Sequence, residues 1–478
     1  MRSTLFATGF RLFAALGCIV LAACGGGTGG SSGAGVAPPA VAVGTVNGFG
    51  SVIVDGIRID DRNIAAVAET APGTDTASEV QLGDRVELTF ASPGVAASLR
   101  VEATLAGAIS KVVSFTQFEV LGQTVEVNAT PGAGPVSQFA GGYLSGSDMR
   151  AADVVEVHGL IVRRGTGYVV QATRIEKKTG VPTYLKVTGL ISSLGNGGAA
   201  VFKLGELGVD ASAAAVLPAG RTLANGQVAS ILALPSTLAT AGSGIQALRP
   251  SQVRLRSLSA SSNDATISGA TAALDATARN FQLAGLLVRY ANATVTPSAM
   301  ALADGKYVRV RGKLQADGSL LASAVTVRDG RNEPEAELKG SLASYDPTTQ
   351  TFKIRDVKVD ASYAAMLACF TTGLVNGIYV EVAGMLSPTG VIATTVQCGD
   401  EPRGASIARE GVSSAVNPET NTFVLTLPGT SAVTLTVSWT AQTYFRDFAA
   451  SELDGKTVGV EGHLVKGVLV ASKIKLEE

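Results

Sequence analysis

The sequence predicts an all-β body: a tandem array of six small five-stranded β-barrels, each with a short helix or loop before its fourth strand. Three observations predict it. The chain of 478 residues is 46% hydrophobic, only 16% charged, and carries 56 Gly, a balance that favours strands and turns over helices. A closing pattern (a small residue, Ser or Thr, then apolar residues alternating with polar ones) recurs six times at steps of 71–78 residues, the signature of an array of similar units. Its period of two marks each copy as a half-buried strand. Such apolar content with a net charge of −1 excludes a disordered chain. No run beyond the N-terminus reaches the ~18 apolar residues of a spanning helix, which excludes a polytopic helical membrane protein.

The N-terminus reads as a targeting segment. Arg2 and Arg11 precede a short apolar run, Leu12 to Ala22, that fits a signal h-region. It ends in Leu21-Ala22-Ala23-Cys24, which resembles the lipobox of bacterial lipoproteins, where the Cys is acylated and becomes the new N-terminus. Residues 1–23 are therefore expected to be a lipoprotein signal peptide. Residues 24–43 are the lipidated Cys24 with a Gly/Ser-rich tether, roughly 25 Å end to end. Gly25 follows Cys24 where Asp would favour the inner membrane. By the same resemblance the expected location is the outer membrane, facing the periplasm or the cell surface. Removing the two arginines of 1–23 leaves 36 basic against 39 acidic residues, a net charge of −3. No basic stripe emerges, so no nucleic-acid partner is expected, and membrane contact is expected only through the lipid anchor.

Three landmarks order each unit. The first is a strand opening on Phe: Phe118, Phe202, Phe281, Phe352 and Phe423. Asp346-Pro347 and Asn417-Pro418 sit just before two of them and read as hairpin loops. The second is an Asp-Gly or Asn-Gly turn feeding an alternating strand that ends in Gly. It is clearest at Asp304-Gly305 to Gly312, Asn376-Gly377 to Gly384 and Asp454-Gly455 to Gly462, with looser copies at Gly83-Asp84-Arg85-Val86 and Val155-Glu156-Val157-His158-Gly159. The third is the closing strand, as in Ala322-Ser323 and Ala471-Ser472. Between the third strand and the Gly turn lies an Ala-rich segment, such as 360–370 or 443–450, able to form a short helix. Strand, strand, strand, helix or loop, strand, strand resembles the order of an OB-like barrel; a flat meander is the alternative, but closure removes the sheet edges that linked units would expose. The expected units are 44–103, 104–180, 181–258 (degenerate), 259–331, 332–402 and 403–478.

The run Gly48-Phe49-Gly50-Ser51-Val52-Ile53-Val54-Asp55-Gly56, the Asp/Asn-Gly strand and the closing Ala-Ser strand are similar to those of bacterial lipoproteins that carry a repeated OB-like domain of unknown function, domain of unknown function 5666. The resemblance covers residues 44 to 478. It implies fold and envelope location and no reaction.

Chemistry-bearing motifs are sparse. His158 and His463 lie in different units at different repeat positions, so a His-based triad or metal site has no convergent partners, and each reads as a solvated strand-end His. Asp55, Asp60 and Asp61 lack the spacing of a calcium loop and read as turn formers. Trp439 with Val437, Tyr444 and Phe445 is the one aromatic cluster, read as core. No catalytic residue, cofactor or metal is expected. Once Cys18 leaves with the signal and Cys24 is lipidated, Cys369 and Cys398 remain, both in the fifth unit. An exported chain permits a disulfide between them. The expected role is a non-enzymatic, envelope-anchored binding or scaffolding protein with an envelope protein or glycan as partner. The alternatives are a receptor for a glycan or peptide and, in third place, a hydrolase with its site at a module interface.

Overall fold

The computed structural model describes residues 41–476 apart from 62–63, 93, 131, 196–199, 241–245, 259–262, 298–301, 329–335, 368, 370–372, 400–406, 428–432, 441–442, 447 and 466–467. The expected signal peptide, Cys24, its Gly/Ser run and the unit boundaries expected after 258, 331 and 402 lie outside these residues.

The fourth segment shows the architecture. Strand Asp264–Asp275 pairs antiparallel with Asn280–Leu283, and that strand pairs with Leu286–Arg289. Leu286–Arg289 runs parallel to Leu320–Val327, which pairs with Tyr307–Leu314 and so returns to Asp264–Asp275. Five strands thus close on themselves, leaving no free edge. The period-two pattern sends Phe281, Leu283, Val288, Val308, Val310 and Val325 into one buried cluster. Corresponding pairings join the strands of the first, second, fifth and sixth segments. In the third, strands four and five are each split, into Val228–Ala233 with Leu238–Thr240 and Gln246–Leu248 with Gln252–Leu255. The split follows the 3-10 turn Pro235–Thr237, where Pro removes a ladder donor. The five landmark Phe side chains are all at most 1% exposed.

The expected short helix is corrected. Among the described residues there is no α-helix. The segment after the third strand instead lays a three-residue strand parallel to the closing strand: Gln138–Ala140, Ala215–Leu217, Thr294–Thr296, Ala365–Leu367 and Tyr444–Arg446. Pairing across the barrel mouth satisfies these backbone groups, and the tertiary partner outweighs alanine's helix propensity. Only three-residue 3-10 turns remain nearby, at Gly146–Asp148 and Ala450–Glu452.

The Asp/Asn-Gly turn also differs from a hairpin. Gly305 has φ +79° and donates its N–H to the Thr271 carbonyl at 2.7 Å, while Asp304 Oδ1 accepts the Leu274 N–H at 2.8 Å. Gly377 and Asn376 repeat both bonds, to Leu342 and Tyr345. The motif clamps the start of strand four onto strand one. The Gly expected to end strand four lies within it, just past a register shift, as at Arg311/Gly312 and Ala383/Gly384, and the strand runs on to Leu314 and Ser387. A Cβ at Gly384 would meet the Ile392 carbonyl oxygen at 2.2 Å, so this β-bulge requires glycine.

The segments are consecutive in sequence but not strung in line. Strand Val41–Phe49 opens three residues before the expected start of the body. It pairs with its own segment's Arg85–Ser92, runs parallel to Ala265–Ile267 of the fourth segment, and at Gly48–Phe49 runs parallel to Glu337–Leu338 of the fifth. Leu105–Val187 and Ala106–Lys186 join the second segment to the third. One apolar cluster spans the first and fifth segments and another the second and third. The sixth has its own six-stranded sheet and its own core around Phe423.

Candidate functional site at the segment junction

The shared first strand brings the Asp55-Gly56 turn onto the fourth segment. Asp55, at φ +48° and 5% exposed, receives the Thr45 N–H on Oδ2 at 2.9 Å and the Tyr307 hydroxyl on Oδ1. Its carbonyl accepts Arg309 Nη1 at 3.0 Å and Arg328 Nη1 at 2.6 Å. Burial, with the Asp55 charge beside it, pushes the Tyr307 phenol well above its usual range. Arg85 is buried next to this pair and donates to Thr45 Oγ1 and to the Ser268 carbonyl, both at 3.0 Å. Burial lowers its affinity for the proton, opposed by Tyr307 and Asp55.

A second polar group joins the first segment to the second. His158, expected to be solvated, is 1% exposed. Its Nδ1 accepts the Arg85 N–H at 3.2 Å, and its Nε2 lies 3.4 Å from Glu156 Oε1 and 3.5 Å from Asp84 Oδ1. Arg174 Nε reaches Asp84 at 3.4 Å, and Tyr184 donates to Glu156 Oε2 at 2.8 Å. Burial pushes the Asp84 carboxyl up, against the charges of His158 and Arg174. Burial would raise Glu156 too, but the hydrogen bond and charge of His158, with Lys178 and Tyr184, hold it well below the usual range. Both ring nitrogens of His158 are thus engaged by interface partners, a backbone amide on one side and carboxylates on the other.

Arg85 also lines a cavity of about 300 Å³. The charged residues of its lining come from the first and third segments. Arg254 holds Glu69 through two bonds of 2.7 and 3.0 Å, Lys186 holds Glu102 at 2.9 Å, and Arg256 Nη2 lies 3.3 Å from Glu87. Burial raises Glu87, with Arg256 opposing, whereas the charge and hydrogen bond of Lys186 overcome burial and hold Glu102 low. The lining residues from the second and fourth segments include Leu160, Ile161, Ala270 and Ala284. Among the described residues, Arg256 Nε is the one buried side-chain polar atom with no hydrogen-bond partner. Arg256, Val228 and Leu255 also line a second cavity of about 390 Å³, with Arg221, Gln282 and Asp317, so Arg256 stands between the two.

Of the residues weighed in the sequence, Asp55 and His158 fall at the junction and the others elsewhere. Cys369 and Cys398 form a disulfide with Cα atoms 5.0 Å apart; the parallel register of Leu367 with Gln397 sets them across from each other. Asp55 is a junction residue and more than a turn former. Asp60 bridges to Val95 in parallel, and Asp61 accepts the Val52 N–H at 3.4 Å. The described residues contain no cluster of three or more His, Cys, Asp or Glu able to hold a metal ion. Trp439 packs on the sixth core, 6.1 Å from Phe423 and 6.2 Å from Phe445 between ring centres. The side chain of His463 and the expected anchor Cys24 lie outside the described residues. Arg85, Tyr307, Lys186, Arg254 and Arg256 were not singled out by sequence. The available signal was charge inside alternating strands: Asp84-Arg85 follows the Gly turn where the fifth unit has Ile378-Tyr379.

Three stretches of the chain, 106–176, 268–326 and 410–475, match the family model described as a domain of unknown function, DUF5666. The three matched stretches fall in the second, fourth and sixth segments, consistent with a repeated domain. No curated protein sequence matches the chain. Among solved structures, a silver-bound CusF is similar at 16% identity over 15% of this chain and 97% of that one, with a TM-score of 0.13. A Cu(II)-bound CusF variant from Escherichia coli is similar at 15% identity over 15% and 92%, with a TM-score of 0.13. A three-domain fragment of Drosophila Unr is similar at 13% identity over 44% and 96%, with a TM-score of 0.19.

Proposed function

We propose that the chain is a cell-envelope lipoprotein, anchored through acylated Cys24, whose body of six OB-like barrels binds or scaffolds a partner without catalysing a reaction. The lipobox-like Leu21-Ala22-Ala23-Cys24 and the Gly/Ser run support the anchor. The pairing circuit that recurs along the chain, split but traceable in the third segment, supports six barrels with the boundaries read from the sequence. The observation that carries the binding role is the junction. Four segments meet around a charged cavity in which Arg100, Lys186 and Arg254 are each held by a carboxylate, so most of the recognition surface is preorganised.

The test has two arms. Wild-type and Cys24→Ser chains are compared by membrane fractionation and intact mass. The reading expects the wild-type N-terminus at residue 24 with acyl mass, and unprocessed precursor or loss of membrane association in the variant. Crosslinking and pull-down from solubilised envelope then look for a partner retained by wild type. A non-acylated mature chain starting elsewhere overturns the anchor. Specific turnover in a hydrolase screen that is abolished by Glu69→Gln would favour an enzyme at the module interface.

A further inference from the structure

The junction cavity is lined by both charged and apolar side chains, and a ligand that fills it must match both. Its lining carries five cations, Arg85, Arg100, Lys186, Arg254 and Arg256, against three acids, Glu69, Glu87 and Glu102. Most of these charges are mutually satisfied. Arg100 is held by Asp75 at 2.5 and 2.6 Å, Arg254 by Glu69 and Lys186 by Glu102. Arg256 is the exception. A guanidinium offers five donors, but Arg256 has one carboxylate at 3.3 Å and a buried Nε with no acceptor. A buried donor without a partner is costly, and a ligand that supplies an acceptor removes that cost. Glu87 is itself half-buried, and burial pushes its carboxyl up, with Arg256 opposing. Leu160 and Ala270, also in the lining, are buried and apolar, and among the lining residues there is no aromatic ring on which a sugar could stack.

We propose that this cavity binds a small organic acid, with its anionic head on the Arg256 guanidinium and a short apolar body against Leu160 and Ala270. A planar carboxylate fits the guanidinium fork. The volume, about 300 Å³, is at the lower end of small-molecule sites, so the ligand is metabolite-sized. The inference rests on the reading of the chain as a binding protein and is independent of its anchoring.

Hexanoate and its neutral counterpart hexanamide, each titrated calorimetrically into the full chain in detergent with detergent blanks, test it. The expected result is saturable one-to-one binding of hexanoate, at least tenfold weaker or undetectable binding of hexanamide, and at least a tenfold loss in Arg256→Gln. Ser257→Trp, at an exposed lining position, blocks the cavity without touching the charge network and is expected to weaken hexanoate to a similar degree. Absence of hexanoate binding to wild type, equal binding of hexanamide, or affinity unchanged in both variants overturns the proposal. None of these outcomes bears on Cys24, so the proposal and the anchor fail separately.

Discussion

Asp55 and Tyr307 lie 252 positions apart and share a buried hydrogen bond that fastens the first segment to the fourth. The same carboxylate caps Thr45 within its own segment, so one side chain serves the hairpin and the interface. Removing it strands two buried donors. Asp55→Ala is expected to destabilise the protein by about 2–4 kcal/mol and Tyr307→Phe by about 1–2 kcal/mol. A double-mutant cycle by urea unfolding checks this; the expected coupling is about 1 kcal/mol or more.

The disulfide predicts a wider effect than its position in the fifth segment suggests. Cys369 and Cys398 are 29 residues apart, and closing such a loop is worth roughly 3–4 kcal/mol in the chain-entropy model. Cys398 belongs to the apolar cluster that also holds Phe49, Val52 and Ile59 of the first segment. Reduction is therefore expected to lower the melting of the first and fifth segments together, followed by hydrogen exchange with and without reductant. Alkylation of native, unreduced protein is expected to find neither thiol free.

Core truncations should sort by segment. Phe281→Ala and Phe423→Ala each remove a side chain at most 1% exposed and are expected to cost about 3–5 kcal/mol. The Phe423 cluster belongs to a separate sheet, so its loss is expected to shift a calorimetric transition of its own. Phe281→Ala is expected to shift the main one.

Acid sensitivity follows from Glu156. Its folded-state pKa lies well below the usual 4.5, so the native state holds fewer protons than the unfolded one. Its stabilising contribution is complete above pH 4.5 and is lost as the pH falls below that value. Asp84 acts oppositely, because burial raises its pKa above 3.8 and part of its cost appears as the pH rises past that point. The melting temperature of wild type is expected to fall below pH 4.5, and Glu156→Gln to make that fall shallower while lowering the plateau at neutral pH.

What the sequence made legible was local. Phe352, the Asn376-Gly377 turn, Gly384 and the closing strand at Ala393 all follow from alternation and turn chemistry within one unit. The Ala-rich stretch at 360–370 was misread because alanine favours helices in isolation, and only the folded partner at Thr395–Gln397 makes Ala365–Leu367 a strand. A recurrent glycine in the first strand also went unread. Gly107, Gly269 and Gly340 back onto Leu121, Leu283 and Ile354 of the second hairpin, a contact that leaves no mark in composition. The junction was illegible for a sharper reason. Partners of Arg85, Asp55 and His158 sit in other segments, and similar repeated segments do not announce which of them touch.

The claim on which the rest depends is that the junction is one cooperative body enclosing a fixed cavity. Native-state hydrogen exchange, resolved by fragment, measures it directly. Amides of Val41–Val43 and of Ala265–Ile267, which pair across the interface, are expected to exchange with the same opening free energy. Asp55→Ala is expected to lower both by equal amounts. Independent exchange of the two strands, with Asp55→Ala affecting only the first segment, would contradict it.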